Sequence, residues 1–435
     1  AYDSDFDGVI DRVEHEVGTD RMDATDIPGM LRLEIDKVAL KEEEGWYRGE
    51  FRSYSTYSNG RMRVRAIIRR AEKLGLDFVV ITDKGSLESC KDEDFRSDKV
   101  LLIPAYEWGV EGHATLLGAR TLIKSWDNNP QVQAAIRLAH AQGVIFCITD
   151  PCSSESPWEW TVSGFHAIEV WSKGWRSERH TDPRVLGRGE RTKLTVPSSE
   201  IRSSLAVDNV CKNSQALKFW DASLEQGRRV TAVGGSGAFD RLADIGTPIT
   251  YVYARELSVP GIIEGILLGR TFVSPGIDGP TVLFMADIDG DDKFEGVPGS
   301  VVPIPISPGA ERYRISRDGK GIETEIVGPE VNEIRFRVAI EGLRERGTVK
   351  INVIKNGNVF RTEVVDPDKP VYDFIDAPWK PSFYRVELFR TASDKKAQQG
   401  YGNIEMLALT SPIYADWIPM SEKPMPEEER AAPQE

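Results

Sequence analysis

Between residues 46 and 274, short apolar runs alternate with amphipathic stretches. Val64, Ile67, Ile68, Ala71 and Leu74 recur at helical spacing, so 61–74 reads as a helix that Gly75 ends. The apolar run at 76–82 follows at once and reads as a buried strand. Further strands are predicted at 100–105, 113–118, 144–149, 167–171, 229–234 and 249–254, and helices at 130–142, 214–226 and 260–268. Apolar strands spaced by helices imply a parallel sheet covered on both faces. Seven or eight such units imply a closed barrel, whose chemistry would sit at the carboxyl ends of the strands.

After about residue 280 the period shortens. Strands are predicted at 333–340, 348–355, 359–365, 372–375 and 383–388, with Asn356-Gly357 joining two of them in a tight hairpin. This stretch reads as an all-β, sandwich-like domain. The boundaries that follow are 1–28 for an acidic segment, 29–279 for the α/β barrel, 280–418 for the β domain and 419–435 for a disordered tail rich in Pro and Glu.

At 435 residues the chain suits two domains with small appendages. Its net charge of −14 argues against general nucleic-acid binding. No apolar run approaches the roughly 20 residues of a membrane-spanning helix. Residues 173–212 go against the overall charge, with nine Lys or Arg against five acidic residues, and would form a lid, a contact surface for an acidic partner or a solvated loop. Cys90, Cys147, Cys152 and Cys211 fit no zinc spacing and read equally well as buried thiols.

The first residues carry a separate signal. Asp3, Asp5, Asp7, Asp11 and Glu14 offer oxygens at loop positions 1, 3, 5, 9 and 12, Val9 can offer its carbonyl at position 7, and Gly8 stands where the chain must turn. That is the ligand pattern of an EF-hand-type Ca2+ loop. With Gly18-Thr19-Asp20, Asp23 and Asp26 it resembles thrombospondin type 3-like repeats of bacterial exported proteins. Calcium is plentiful outside cells, so the segment favours a secreted, cell-surface or periplasmic location. A second acidic stretch, Asp287, Asp289, Asp291 and Asp292, lacks a distal Glu at EF-hand spacing and reads more as a hairpin turn.

The candidate chemistry lies in F-R-S-Y-S-T-Y-S-N-G at 51–60, I-T-D-K at 81–84, G-H-A-T at 112–115, T-D-P at 149–151 and G-G-S-G-A-F at 234–239. This series resembles the PHP family (polymerase and histidinol phosphatase type metal-dependent hydrolases), in its exported branch with a C-terminal β domain. The resemblance implies a distorted (β/α)7 barrel and a cluster of two or three metals that activate a bridging water. The ligand positions it implies are Arg52, Tyr54, Asn59, Lys84, Glu107, His113, Asp150, Gly237 and Phe239. Only Glu107 and His113 keep the family residue. Asp150 replaces a His, and Gly237 and Phe239 bring no ligand atom.

Arg52 and Lys84 go further, because they place fixed positive charge where cations would bind. They are expected to pair with Asp83, Glu107 and Asp150 in place of metal. The main expectation is therefore a pseudoenzyme without catalytic metal, exported, and acting by binding or self-association through a protein partner or surface glycan. Trp126, Trp158, Trp160 and Trp175 would either supply contact surface or pack loops onto the barrel. The alternative is a divergent hydrolase of phosphoesters or carbamates that holds one metal on Glu107, His113 and Asp150.

Overall fold

The computed structural model describes residues 37–109, 112–123, 129–153, 157–159, 161–173, 212–304, 311–315, 322–326, 333–344, 348–391 and 404–417. The Ca2+-loop residues Asp3, Asp5, Asp7, Val9, Asp11 and Glu14 lie outside them. So do Trp126, Trp160, Trp175, Cys211, the interior of the basic insertion and the tail.

The fold is mixed α/β and rich in strands. β1 (Gly45–Ser53), β2 (Phe78–Ile81) and β3 (Leu101–Ile103) pair in parallel. All four residues of β2 are buried, as its unbroken apolar run requires. Helix Val64–Leu74 turns Val64, Ile67, Ile68 and Ala71 inward and closes on Gly75 in the left-handed conformation, at φ 68°.

β4 (Ala105–Trp108), β5 (His113–Leu117), β6 (Ile145–Thr149), β7 (Ala167–Ser172) and β8 (Thr231–Gly235) form a second sheet. Its last three strands are parallel, but β5 runs antiparallel to both neighbours, contrary to the all-parallel expectation. The physical reason is loop length at 109–112, which is too short for a crossover and leaves β4 and β5 as a hairpin. Two isolated parallel bridges, Ser53 with Ala238 and Lys84 with Glu107, join the two sheets near the carboxyl ends of β1, β2 and β8. These bridges gather the candidate side chains into one cup.

β9 (Ile249–Ala254) pairs antiparallel with β1, and β10 (Thr271–Ser274) with β9. Sequence reading ended the α/β pattern near here, but the sheet continues. β20 (Ile404–Thr410) returns to pair with β10, then β19 (Ser382–Thr391) with β20, and β21 (Ile413–Trp417) with β19. Thr271 and Ser411 share a hydroxyl contact of 2.7 Å in this joint, and the Ser411 hydroxyl also accepts the Ala232 N–H.

Beyond the joint a separate core forms around Phe284, Phe336, Phe374 and Tyr384. Arg385 on β19 reaches across to helix Lys212–Glu225. There it meets Asp221 with two donors at 2.9 and 2.7 Å and the ring of Trp220 at 5.0 Å, while Glu387 on its own strand accepts from it at 2.6 Å.

Candidate functional site

The cup is built from strand ends. Arg52 closes β1 and is buried with its guanidinium pointing inward. Glu169 on β7 is a single carboxylate within the apolar run A-I-E-V-W, and Asp150 follows β6 in a left-handed turn at φ 43°. Glu107 lies on β4, His113 opens β5, and Lys84 follows β2.

The Arg52 guanidinium donates four hydrogen bonds. Nε donates to Glu169 Oε1 at 3.0 Å, and Nη2 reaches Glu169 Oε2 at 3.0 Å and Ser172 Oγ at 2.8 Å. Nη1 donates to Asp150 Oδ2 at 2.8 Å and to the Tyr54 hydroxyl at 3.2 Å. One hydrogen bond and one close ion pair thus tie the guanidinium to Glu169, a charge-assisted contact of the strong kind.

Burial alone would lower the Arg52 pKa, but Asp150 and Glu169 outweigh it and hold the group charged far above any physiological pH. Burial also pushes Asp150 upward, and Arg52 overcomes this, with Ser172 and Lys173 helping, to set it at about 2. Burial drives Glu169 up to about 8 against the pull of Arg52. Even so, both its oxygens accept hydrogen bonds, Oε2 taking the Asp150 N–H at 3.1 Å, which is the pattern of the ionised form.

The cup wall is less complete. Tyr54 is buried, its pKa is raised well above the ordinary value mainly by burial, and its hydroxyl donates to Glu107 Oε2. The other Glu107 oxygen, Oε1, lies 3.2 Å from Lys84 Nζ and 3.5 Å from His113 Nδ1. Those distances suit ion pairing, but the angles do not make hydrogen bonds. Among the described residues, Glu107 Oε1 and His113 Nδ1 are buried without a hydrogen-bond partner. Burial lowers the His113 pKa, so the imidazole is neutral near pH 7.

Gly237 makes room for this network. It sits at φ 57°, and a Cβ there would come within 3.0 Å of Arg52 Nη2. The guanidinium therefore fills the space beside a position that the PHP resemblance assigns to a ligand. A divalent cluster does not fit these residues. Asp150 is taken by Arg52 and Glu107 Oε2 by Tyr54. The two open atoms lie beside Lys84, whose charge would repel a cation by several kcal/mol even at an effective dielectric of ~20.

Asn59 and Phe239 do not join the cup. Asn59 is exposed beside the Ser58 hydroxyl, and Phe239 is 40% exposed with Lys173 Nζ 6.0 Å from its ring centre. Asp83, expected to pair with Arg52 or Lys84, instead accepts the Ser55 N–H and the hydroxyls of Ser55 and Ser58. It is buried and pins the loop after β1, and a carboxylate can be satisfied by neutral donors as well as by charge. Trp158, expected as contact surface, is buried against Trp108 and donates to the His113 carbonyl at 2.8 Å.

Glu169 and Ser172 were not anticipated. The lone charge inside an apolar strand was the signal that could have found Glu169. Glu50 was also missed. It is wholly buried on β1 and its carboxylate accepts the N–H groups of Arg52, Ser236 and Gly246.

Elsewhere, Asp287, Asp289, Asp291 and Glu295 place carboxylate oxygens within 4.8 Å of one another. Glu295, which is off EF-hand spacing, supplies the fourth acidic group, while Asp292 turns to Arg335. His140 and His166 stack with ring centres 4.1 Å apart. Cys90, Cys147 and Cys152 are free thiols.

No family model matches the chain, and no curated protein matches it. Among solved structures, a two-domain protein from Bacteroides vulgatus containing a predicted PHP-like metal-dependent phosphoesterase aligns at 14% identity. That alignment covers 87% of this chain and 98% of the other, with a TM-score of 0.39. A protein from Bifidobacterium adolescentis described as a candidate metal-dependent phosphoesterase aligns at 13% identity over 50% of this chain and 95% of its own, with a TM-score of 0.26. At these scores the likeness does not establish a shared fold.

Proposed function

We propose that this chain is a pseudoenzyme: a PHP-type distorted (β/α)7 barrel at 29–279, joined to a sandwich-like β domain at 280–418, whose former catalytic cup is held together by basic side chains. One observation carries the reading. The buried Arg52 guanidinium, with four hydrogen bonds to Glu169, Asp150, Tyr54 and Ser172 and ion pairs to Glu169 and Asp150, occupies the cup floor with fixed charge. The chain then acts as an exported binding or assembly protein at the cell exterior, with calcium bound by Asp3, Asp5, Asp7, Val9, Asp11 and Glu14. The test uses the full chain with Mn2+, Zn2+ or Mg2+ and chromogenic phosphate monoester, phosphodiester, ester and carbamate substrates. The expected result is no turnover above background. Turnover that disappears in Glu107→Gln would overturn the reading.

A second reading, a one-metal hydrolase on Glu107, His113 and Asp150, is favoured by a specific feature, the two open atoms Glu107 Oε1 and His113 Nδ1. Buried polar atoms without partners are costly and rare, and in an old catalytic site they mark where a ligand once bound or still binds. For the one-metal site to form, Lys84 would have to swing outward. It is 45% exposed and hence free to do so, whereas Arg52 is not.

A further inference from the structure

A basic groove runs along helix Val64–Leu74, far from neutral in a chain of net charge −14. Arg63, Arg65, Arg69, Arg70 and Lys73 line it, with Leu242 as part of an apolar floor. The helix has no acidic residue in its first turn and no side-chain cap at Arg63. Positive charge at the amino end opposes the helix dipole, so the array weakens the element that carries it. Arg70 donates to the Leu242 carbonyl and Arg65 reaches Asp94 at 3.7 Å. Among the described residues, Arg63, Arg69 and Lys73 have no carboxylate within ion-pair distance.

The course of the chain supplies the occupant. Lys41 Nζ pairs with Asp77 at 2.5 Å, and Arg48 Nε donates to the carbonyl of Gly75, which ends the helix. Residue 37, where the described chain begins, lies four residues before Lys41, whose backbone bridges to Leu257 and whose side chain reaches Asp77, just past the helix-ending Gly75. Residues 1–36 carry eleven Asp or Glu against three Arg. The eleven-residue helix spans ~16 Å, well within reach of a segment of that length.

We propose that the acidic segment 1–36 docks in this groove of its own molecule, its carboxylates meeting Arg63, Arg69 and Lys73. Exposed ion pairs are individually weak, but tethering raises the effective concentration of the segment to the millimolar range, so several weak pairs suffice. A free polyanion has no such advantage, and it meets the repulsive field of a negatively charged protein.

Zero-length carbodiimide coupling of the full chain, in buffer stripped of divalent cations, tests this. Lys73 is expected to couple to Asp or Glu within 1–36, in the monomer fraction, as located by peptide mass spectrometry. The yield should drop about fivefold in concentrated salt, which screens exposed pairs, and comparably in Arg63→Glu/Arg69→Glu. Should that double variant not fold, Arg63→Gln/Arg69→Gln replaces it with the same expectation. Coupling of Lys73 only to other parts of the chain, coupling found only in covalent dimers, or a yield indifferent to the groove substitutions would each overturn the proposal.

Discussion

Two buried arginines hold this molecule together, and they do so differently. Arg385 joins β19 to helix Lys212–Glu225, with Asp221, Glu387 and the Trp220 ring around it. Its acidic partners stay 15% and 14% exposed, at the rim of the joint. Arg52 also binds a carboxylate, but its partner Glu169 is only 2% exposed, and Asp150, Glu107 and Tyr54 crowd the same space. The joint leaves none of its own charged groups orphaned, whereas the cup leaves Glu107 Oε1 and His113 Nδ1 without hydrogen bonds. A buried network that evolved for structure alone tends to satisfy all its members. That contrast is what the proposed reading of the cup as a former catalytic site draws on.

The largest effect separates the two networks directly. Arg52→Ala leaves Glu169 buried and unpaired, so it should cost about 3–5 kcal/mol in denaturant unfolding, with Arg385→Ala nearer the lower end because its partners can reach water. The sharper distinction is rescue. Millimolar Mn2+ should raise the melting temperature of Arg52→Ala, whose carboxylates then face a cavity, and leave Arg385→Ala unchanged. Equal response of both variants would erase the contrast.

Acid unfolding gives the next largest effect and divides by window. His166 accepts the Phe146 N–H on Nδ1, and burial, with His140 beside it, lowers its pKa to about 4. The unfolded chain takes up this proton first, so the stability involved is complete above pH ~6.5 and is lost as pH falls from there toward 4. The loss should be on the order of 2–3 kcal/mol and should vanish in His166→Gln. The carboxylate set at about 2, Asp150, contributes stability present above its unfolded value, ~3.9, and lost as pH falls through 2. Urea titrations across pH would show this loss between pH ~6.5 and 4 in the parent and its absence in the His166 variant.

Gly237→Ala should cost about 1–2 kcal/mol, from a left-handed backbone that disfavours Cβ and from crowding of Arg52 Nη2. Lys84→Ala should change stability by no more than about 1 kcal/mol, because the side chain is half-exposed and Glu107 keeps Tyr54. A much larger loss for Lys84→Ala would make it an equal partner of Arg52 and move the centre of the network to the wall.

Much of this was legible in the chain. The helix expected at 61–74 runs Val64–Leu74, and that expected at 260–268 runs Val259–Leu267, because their periodic apolar faces and terminal Gly or Ser speak locally. Strands β20 and β21 were missed: β20 pairs with β10 more than 130 residues away and β21 with β19, and such pairing leaves no periodic trace in the sequence. In the cup, the PHP resemblance named Arg52, Tyr54, Lys84, Glu107, His113 and Asp150, which do converge. It could not tell that Asp83 would be satisfied by Ser55 and Ser58, because a carboxylate accepts from charge and from hydroxyl alike. Nor could it place Phe239, whose backbone is held by the Arg61 N–H while its ring turns outward.

Anomalous diffraction from crystals of the full chain soaked in Mn2+ or Zn2+ tests the central claim most directly. The account predicts no anomalous peak within bonding distance of Glu107, His113 or Asp150, with Arg52 still seated on Glu169. A stoichiometric ion bridging Glu107 Oε1 and His113 Nδ1, with Lys84 displaced, would contradict it.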